Sequence, residues 1–310
     1  MNNQPARMGV GVISAGRVGT VLASALRSVG HHIIGVHAVS EASKERADSM
    51  LPGVPILEPQ EIIRRSELVI LAIPDDQLPS LMSGLEQVGA WQMGQVVLHT
   101  SGRYGLDVLA PAARAGAITL ALHPAMTFSG TSMDIPRLVG CPMAVAGQGP
   151  MLPIAQALAV ELGGEPYVID DDKRPLYHAA LSHGANHMVT LVSGAMKALA
   201  LAGVDEPGTM LAPLLHAALD RALHEGQAAL TGPISRGDVG TVRAHCQALA
   251  AETTDDASLD DVLRAYRAMG LLTAQQCVER GAISAQTYEQ ILHELQTNHH
   301  LEVDNPPEPE

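Results

Sequence analysis

From residue 8 to about residue 170 the apolar positions gather into short, β-branched runs separated by stretches with helical spacing. The runs are Val10–Ile13, Ile33–His37, Leu68–Ile73, Val96–Thr100, Ile118–His123, Met143–Ala146 and Tyr167–Ile169. Such alternation predicts a parallel sheet with helices on both faces. The third run leads straight into Pro74, in Leu71-Ala-Ile-Pro-Asp-Asp76. A proline cannot continue a central strand, so the chain turns out over the carboxyl edge of the sheet there, carrying Ile73 and Pro74 to that edge. Beyond Asp170-Asp-Asp-Lys-Arg-Pro175 the β-branched runs stop and helical periodicity takes over. Helices are expected over Leu176–Ala202, Gly208–Leu223, Val239–Ala250, Leu259–Met269 and Ser284–Leu295. The predicted fold class is α/β followed by all-α, with a doubly wound parallel sheet over 1–170 and a helical domain over 171–297. An acidic, proline-rich tail over 298–310 ends the chain.

Composition narrows this picture. The 310 residues are 46% hydrophobic, enough for two filled cores, yet Trp91 and Phe128 are the sole residues of their kinds. Cores built from Ala, Leu, Val, Ile and Met favour close-packed helices over a β-sandwich. The net charge of −14 excludes nucleic acid and anionic membranes as expected partners. Cys141, Cys246 and Cys277 are odd in number and lack C-x-x-C spacing, which predicts buried thiols in a reducing compartment. Residues 1–7 carry no apolar signal core, and the apolar stretch Met188–Val204 is interrupted by Lys197, so a cytoplasmic location is expected.

The most informative segment is Met8-Gly-Val-Gly-Val-Ile-Ser-Ala-Gly-Arg-Val-Gly-Thr-Val-Leu-Ala23, a glycine turn between a predicted strand and a predicted helix. In the G-x-G-x-x-G arrangement the middle glycine lets backbone approach a pyrophosphate, and the last lets helix pack close to strand. Here those glycines are Gly16 and Gly19, and Ser14, Ala15, Arg17 and Val18 complete the turn. Ser14 replaces the first glycine, which predicts a negative φ at that position. An acidic residue at the end of the second strand would bind ribose hydroxyls, whereas a 2′-phosphate needs cations and small polar donors. Ser40, Ser43, Lys44 and Arg46 stand there and point to NADP; Glu41 is the acidic alternative that would favour NAD.

His99-Thr-Ser-Gly102 and His123-Pro-Ala-Met-Thr-Phe128 both follow apolar runs, at the edge where open α/β sheets take ligands. Ser101 and His123 are therefore expected at the cofactor, and burial of the histidines as satisfied core residues is the competing reading. In Tyr177-His-Ala-Ala-Leu-Ser-His-Gly-Ala-Asn-His187, His183, Asn186 and His187 share one helix face. A cleft between the two domains would give these polar groups a purpose, with His183 or His178 as proton donor and Asn186 orienting a carbonyl. No acidic or cysteine residue accompanies the two histidines at H-E-x-x-H-like spacing, so no metal is expected. In Thr231-Gly-Pro-Ile-Ser-Arg-Gly-Asp238, Arg236 is suited to grip a carboxylate or phosphate, and Asp238 to cap a helix.

Taken together, the Ser14-Ala-Gly-Arg-Val-Gly19 turn, His99-Thr-Ser-Gly102, His123-Pro-Ala-Met-Thr-Phe128, Tyr177-His178 with Asn186, and Leu230-Thr-Gly-Pro-Ile-Ser-Arg-Gly-Asp238 resemble one family. It is the Rossmann-like proteins with a C-terminal domain of unknown function, number 2520, and the likeness spans about residues 8 to 295. The resemblance implies membership of the superfamily similar to 6-phosphogluconate dehydrogenase, ketopantoate reductase and pyrroline-5-carboxylate reductase. It further implies a helical dimerisation domain and hence a homodimer. Relatives that act on hydroxy or keto acids commonly use a lysine four residues before an asparagine; here that position is Ser182, and the lysines are Lys44, Lys173 and Lys197. The expected activity is an NADP-dependent oxidoreductase acting on a small anionic keto or imino substrate, ketopantoate in the keto case. The alternative is a dinucleotide-binding or regulatory protein without catalysis.

Overall fold

The computed structural model describes residues 7–252 and 259–297. The described residues fall into two compact units, divided between Ser182 and His183. The expected acidic tail lies outside them.

The first unit holds strands β1 (Gly9–Ile13), β2 (His32–His37), β3 (Leu68–Leu71), β4 (Val96–His99), β5 (Ile118–Pro124), β6 (Pro142–Gly147) and β7 (Glu165–Val168). Between them run helices α1 (Arg17–Ser28), α2 (Glu41–Met50), α3 (Pro59–Arg65), α4 (Leu78–Gln87), α5 (Ala110–Arg114) and α6 (Leu152–Glu161). The sheet order is β2-β1-β3-β4-β5-β6-β7. All seven expected strands are present, with ends shifted by at most two residues, and β1 to β5 are mutually parallel. The correction concerns β6, which pairs antiparallel with β5 through Leu120 to Gly147 and Pro124 to Met143. Apolar runs alone do not state strand direction. The sheet is mostly rather than wholly parallel.

Alternation along the strands builds two cores. Val10, Val12, Leu68, Ile70, Leu98, Leu120 and Leu122 pack with Leu22 and Leu26 of α1, Ala47 of α2 and Leu158 of α6. Ile13, Val69, Leu71 and Val97 face the other way, toward Ile62 and Ile63 of α3, Met82 of α4, Ala112 of α5 and Trp91. Each face is thereby covered, as a doubly wound sheet requires.

The remaining helices are α7 (Arg174–Leu201), α8 (Pro207–Glu225), α9 (Pro233–Arg236), α10 (Val239–Ala251), α11 (Asp260–Glu279) and α12 (Ala285–Gln296). The boundary between the units falls inside α7. The second unit's core is Ile234, Val242, Cys246, Leu263, Ala274, Cys277, Ile291 and Leu295, from α9 to α12. Helix α11 runs ten residues beyond its expected end at Met269. Gly270 does not stop it, because this glycine sits against Leu295 and Ile234, where a Cβ would come within 2.9 Å and 3.3 Å of their side chains. All three cysteines are free and buried, as expected. Among the described residues no helix is long and apolar enough to cross a membrane.

Candidate functional site

The turn after β1 is built around Ser14, whose φ is +85°, the one left-handed non-glycine among the described residues. This corrects the expectation of a negative φ. Two constraints force it: Ala15 N–H donates to the His37 carbonyl at the end of β2 (2.7 Å), and α1 lies so close that a Cβ on Gly19 would fall onto the Ser14 carbonyl oxygen. Gly16 then becomes the N-cap of α1, without a side-chain cap and with no acid in the first turn. Among the described residues the leading N–H groups of α1 therefore lack a side-chain acceptor. A Cβ on Gly16 would meet just Ser14 Oγ at 3.3 Å and the Ala72 carbonyl oxygen at 3.9 Å. Folding thus demands a glycine at position 19, whereas at 16 it leaves room for a group from outside the chain.

Beside this turn the expected 2′-phosphate residues separate. Ser40 caps α2 by accepting from Ser43 N–H at 3.2 Å, and Lys44 Nζ pairs with Glu41 Oε1 at 2.8 Å on the exposed side of the helix. Arg46 alone reaches the turn, donating from Nη1 to the Ala15 carbonyl at 3.2 Å. Gly130, at φ +81°, packs on the same place; a Cβ there would lie 2.8 Å from Arg46 Nε and 2.9 Å from Arg17 Cγ. Its loop is tied down by buried Asp134, whose Oδ2 accepts from Ser129 N–H and Gly130 N–H at 2.8 Å each. Near the ends of β1 and β2 a cavity of about 640 Å³ is lined by Ile13, His37, Ile73, Gln77 and Leu81 among others. Ile73 belongs to it, while Pro74 is the N-cap of a short 3-10 turn at Asp75–Gln77.

At the ends of β4 and β5 the two histidines have different fates. His99 is fully buried: Nδ1 accepts from Ser101 N–H at 3.2 Å and Nε2 lies 3.1 Å from the Gly105 carbonyl. Burial and then the charge of Arg174 pull its pKa down to about 3, against the raising effect of the Gly105 bond. His99 is a satisfied core residue. Ser101 is also engaged within its loop, where Oγ accepts from Arg103 N–H and Tyr104 N–H at 3.2 Å each. His123 is half-buried, with Nδ1 2.8 Å from the Tyr177 hydroxyl and its ring edge-on to those of Tyr177 and His178. Burial, then His178 and Arg174, lower its pKa to about 4, and burial raises that of Tyr177 to about 12. Gly102 faces these rings; a Cβ there would stand 2.8 Å from His178 Cδ2 and 2.9 Å from His123 Nε2.

Arg174 holds the start of α7 to this edge. Its guanidinium is wholly buried and donates to the carbonyls of Ser101 and Ala144 at 3.3 Å each, while Asp171 Oδ2 accepts from Leu106 N–H at 2.9 Å. The sequence signals none of this, because Arg174 sits in a charged stretch with the composition of a linker. His37, Gln77, Leu81 and Gly130 were likewise missed, although His37 was visible as the last residue of the second apolar run.

In the second unit, His183 Nδ1 and His187 Nδ1 are 2.9 Å apart, and both residues and Asn186 are exposed. Arg236 is held within its own loop by Asp238 Oδ2 at 2.8 Å and by the Thr231 carbonyl at 2.6 Å. Asp238 occupies the N-cap position of α10, but its carboxylate serves Arg236 and makes no capping hydrogen bond. The loop arranges its charges internally.

A mostly parallel, doubly wound sheet with a glycine turn after its first strand, followed by an all-helical region, defines a Rossmann-type protein with a helical C-terminal domain. The chain is a Rossmann-like protein that carries a DUF2520 region: residues 1–124 match the Rossmann-like domain and residues 141–273 the domain of unknown function DUF2520. No curated protein matches it in sequence. Among solved structures, it is similar to a Bacteroides fragilis protein provisionally described as an NADP oxidoreductase, with a TM-score of 0.72 and 20% identity over 87% of this chain and 98% of that one. An imine reductase of Myxococcus stipitatus in complex with NADP+ gives 0.63 at 16% identity, over 92% and 99% of the two chains. The 1-pyrroline-5-carboxylate reductase of Streptococcus pyogenes gives 0.55 at 16%, over 93% and 99%. At such identities the likeness is one of fold.

Proposed function

We propose that this protein is an NADP-dependent oxidoreductase that transfers hydride between the nicotinamide and a small anionic keto or imino substrate. The observation that carries the reading is the open position at Gly16, facing an uncapped helix end with Arg17 and Arg46 beside it. Backbone N–H groups of α1 would hold the pyrophosphate, Arg46 with Arg17 the 2′-phosphate, and the cavity at His37, Ile73, Gln77 and Leu81 the adenine. The cofactor supplies the hydride when bound. His178, beside Gly102, is the candidate proton donor in the first unit, and His183 with Asn186 are the candidates on the second; Arg236 is proposed for the anionic end of the substrate.

The test is titration of the purified protein with NADP+ and NAD+. One charge-assisted phosphate contact contributes about 1.5–3 kcal/mol, so NADP+ should bind roughly ten- to a hundredfold more tightly. Replacing Arg17 and Arg46 together by alanine should remove most of that preference, and Lys44→Ala alone little of it. Equal affinities in the wild type would mean that Glu41 meets a ribose.

A second reading, a dinucleotide-binding protein without catalysis, is favoured by Ser182 in place of the family's lysine and by the engagement of Arg236 with Asp238. Oxidation of NADPH by a panel of keto acids and cyclic imines separates the two: binding without turnover of any member supports the second. A homodimer is also proposed, because α7 and α8 leave Val189, Met210, Leu214 and Leu223 between 57% and 77% exposed in the single chain.

A further inference from the structure

We infer that His123, oriented by Tyr177 so that its proton sits on Nε2, is a neutral hydrogen-bond donor to the carboxamide oxygen of a bound nicotinamide. The inference rests on the dinucleotide reading above. Its first support is the accounting of protons. The Tyr177 hydroxyl has His123 Nδ1 as its hydrogen-bond partner among the described residues, at 2.8 Å. Of the two arrangements, the one with the proton on Tyr177 is favoured, because a phenol hydroxyl is a stronger donor than a neutral imidazole N–H and an imidazole nitrogen a stronger acceptor than a phenol oxygen. The hydroxyl therefore donates to Nδ1, and the imidazole keeps its hydrogen on Nε2.

The second support is the contrast with His99, one strand away. Its Nδ1 also accepts, from a backbone N–H that can do nothing but donate, so its hydrogen too is on Nε2; there the Gly105 carbonyl takes it. Among the described residues His123 Nε2 has no such carbonyl; it lies against Gly102, where a Cβ would stand 2.9 Å from it, so only a glycine lets the ring keep this position at the strand end. The groups facing His123 are Tyr177, His178 and Arg174 of α7 and His99 of β4, with Cys141 acting on Tyr177. Two cationic or cation-forming neighbours and burial keep the ring uncharged through neutral pH. It is a fixed dipole rather than a proton source.

Position supplies the third support. In the order β1-β3-β4-β5, His123 lies three strand spacings from the phosphate turn, about 14 Å. A ribose, a nicotinamide ring and the reach of an imidazole span such a gap along the carboxyl edge.

The experiment is ¹⁵N spectroscopy of the full chain labelled at histidine. Without ligand, wild-type His123 should show an acceptor-type Nδ1 and a protonated Nε2, unchanged from pH 8 to 5.5; Tyr177→Phe should lose that fixed tautomer. Saturating NADP+ should shift the Nε2–H signal, and 2′-phospho-ADP-ribose, which lacks the nicotinamide, should not. His123→Ala should weaken NADP+ binding about tenfold, the equivalent of one hydrogen bond, with partial rescue by His123→Gln. A wild-type His123 protonated on Nδ1 overturns the inference, as does an Nε2–H signal that bound NADP+ and the fragment leave alike. If neither compound binds, the functional reading fails and the carboxamide with it, a result distinct from binding without a shift.

Discussion

Single residues carry the clearest tension between folding and use. Ser14 is held at φ +85°, a conformation that costs a residue with a Cβ about 1–2 kcal/mol. Ser14→Gly should therefore raise stability by roughly 1 kcal/mol, read from the urea midpoint. Gly16→Val should still fold, its stability lowered by about 1 kcal/mol at the N-cap, and show no detectable NADP+ binding, because the added atoms meet the ligand's place. The two histidines at the ends of β4 and β5 make a pH prediction. His99 and His123 have folded pKa values near 3 and 4 against an ordinary 6.5. Below pH 6.5 the unfolded chain gains protons that the folded one refuses, so their contribution is full above 6.5 and is lost as pH falls toward 4. The loss is about 1.4 kcal/mol per pH unit for each group. Urea midpoints between pH 7 and 4.5 should show this slope, and His99→Gln should roughly halve it. Gly16 and Gly19 were legible in sequence because spacing alone distinguishes their tasks. The sign of φ at Ser14 was not, since it is set by the His37 carbonyl and by packing of α1.

At the scale of elements, periodicity located strands and helices well and failed where a residue's partner is distant. The expected end of α11 at Met269 shows why. A glycine ends a helix when it adopts a left-handed cap, but Gly270 is helical and marks close approach to Leu295 and Ile234. Gly270→Val should destabilise the second unit by about 1–3 kcal/mol through overpacking, measurable as a lowered denaturation midpoint with helix content retained. The start of α7 is the converse case. Asp170 to Pro175 has the composition of a linker, yet Arg174 and Asp171 bind backbone groups of the β4–α5 connection and of β6. No local pattern encodes a partner seventy-three residues away. The same anchoring brings Tyr177 to His123, which sequence placed in separate motifs.

For the whole molecule, fold class was legible because short β-branched runs alternate with helical spacing up to about residue 170 and stop beyond it. What the apolar surface of α7 and α8 does was legible only as an excess of hydrophobic positions. Sedimentation at micromolar concentration should give a dimer, and Leu214→Glu with Leu223→Glu should give a monomer; a wild-type monomer would reject the assembly. The lone tryptophan adds an experimental consequence. Trp91 is 7% exposed in the α3–α5 core of the first unit, and the second unit contains none. Indole emission therefore reports melting of the sheet domain alone, whereas far-ultraviolet dichroism sums over both units. Recording the two signals on one sample would show whether the halves unfold in a single cooperative event, and saturating NADP+ should move the fluorescence transition even where the dichroism of the helical half stays put.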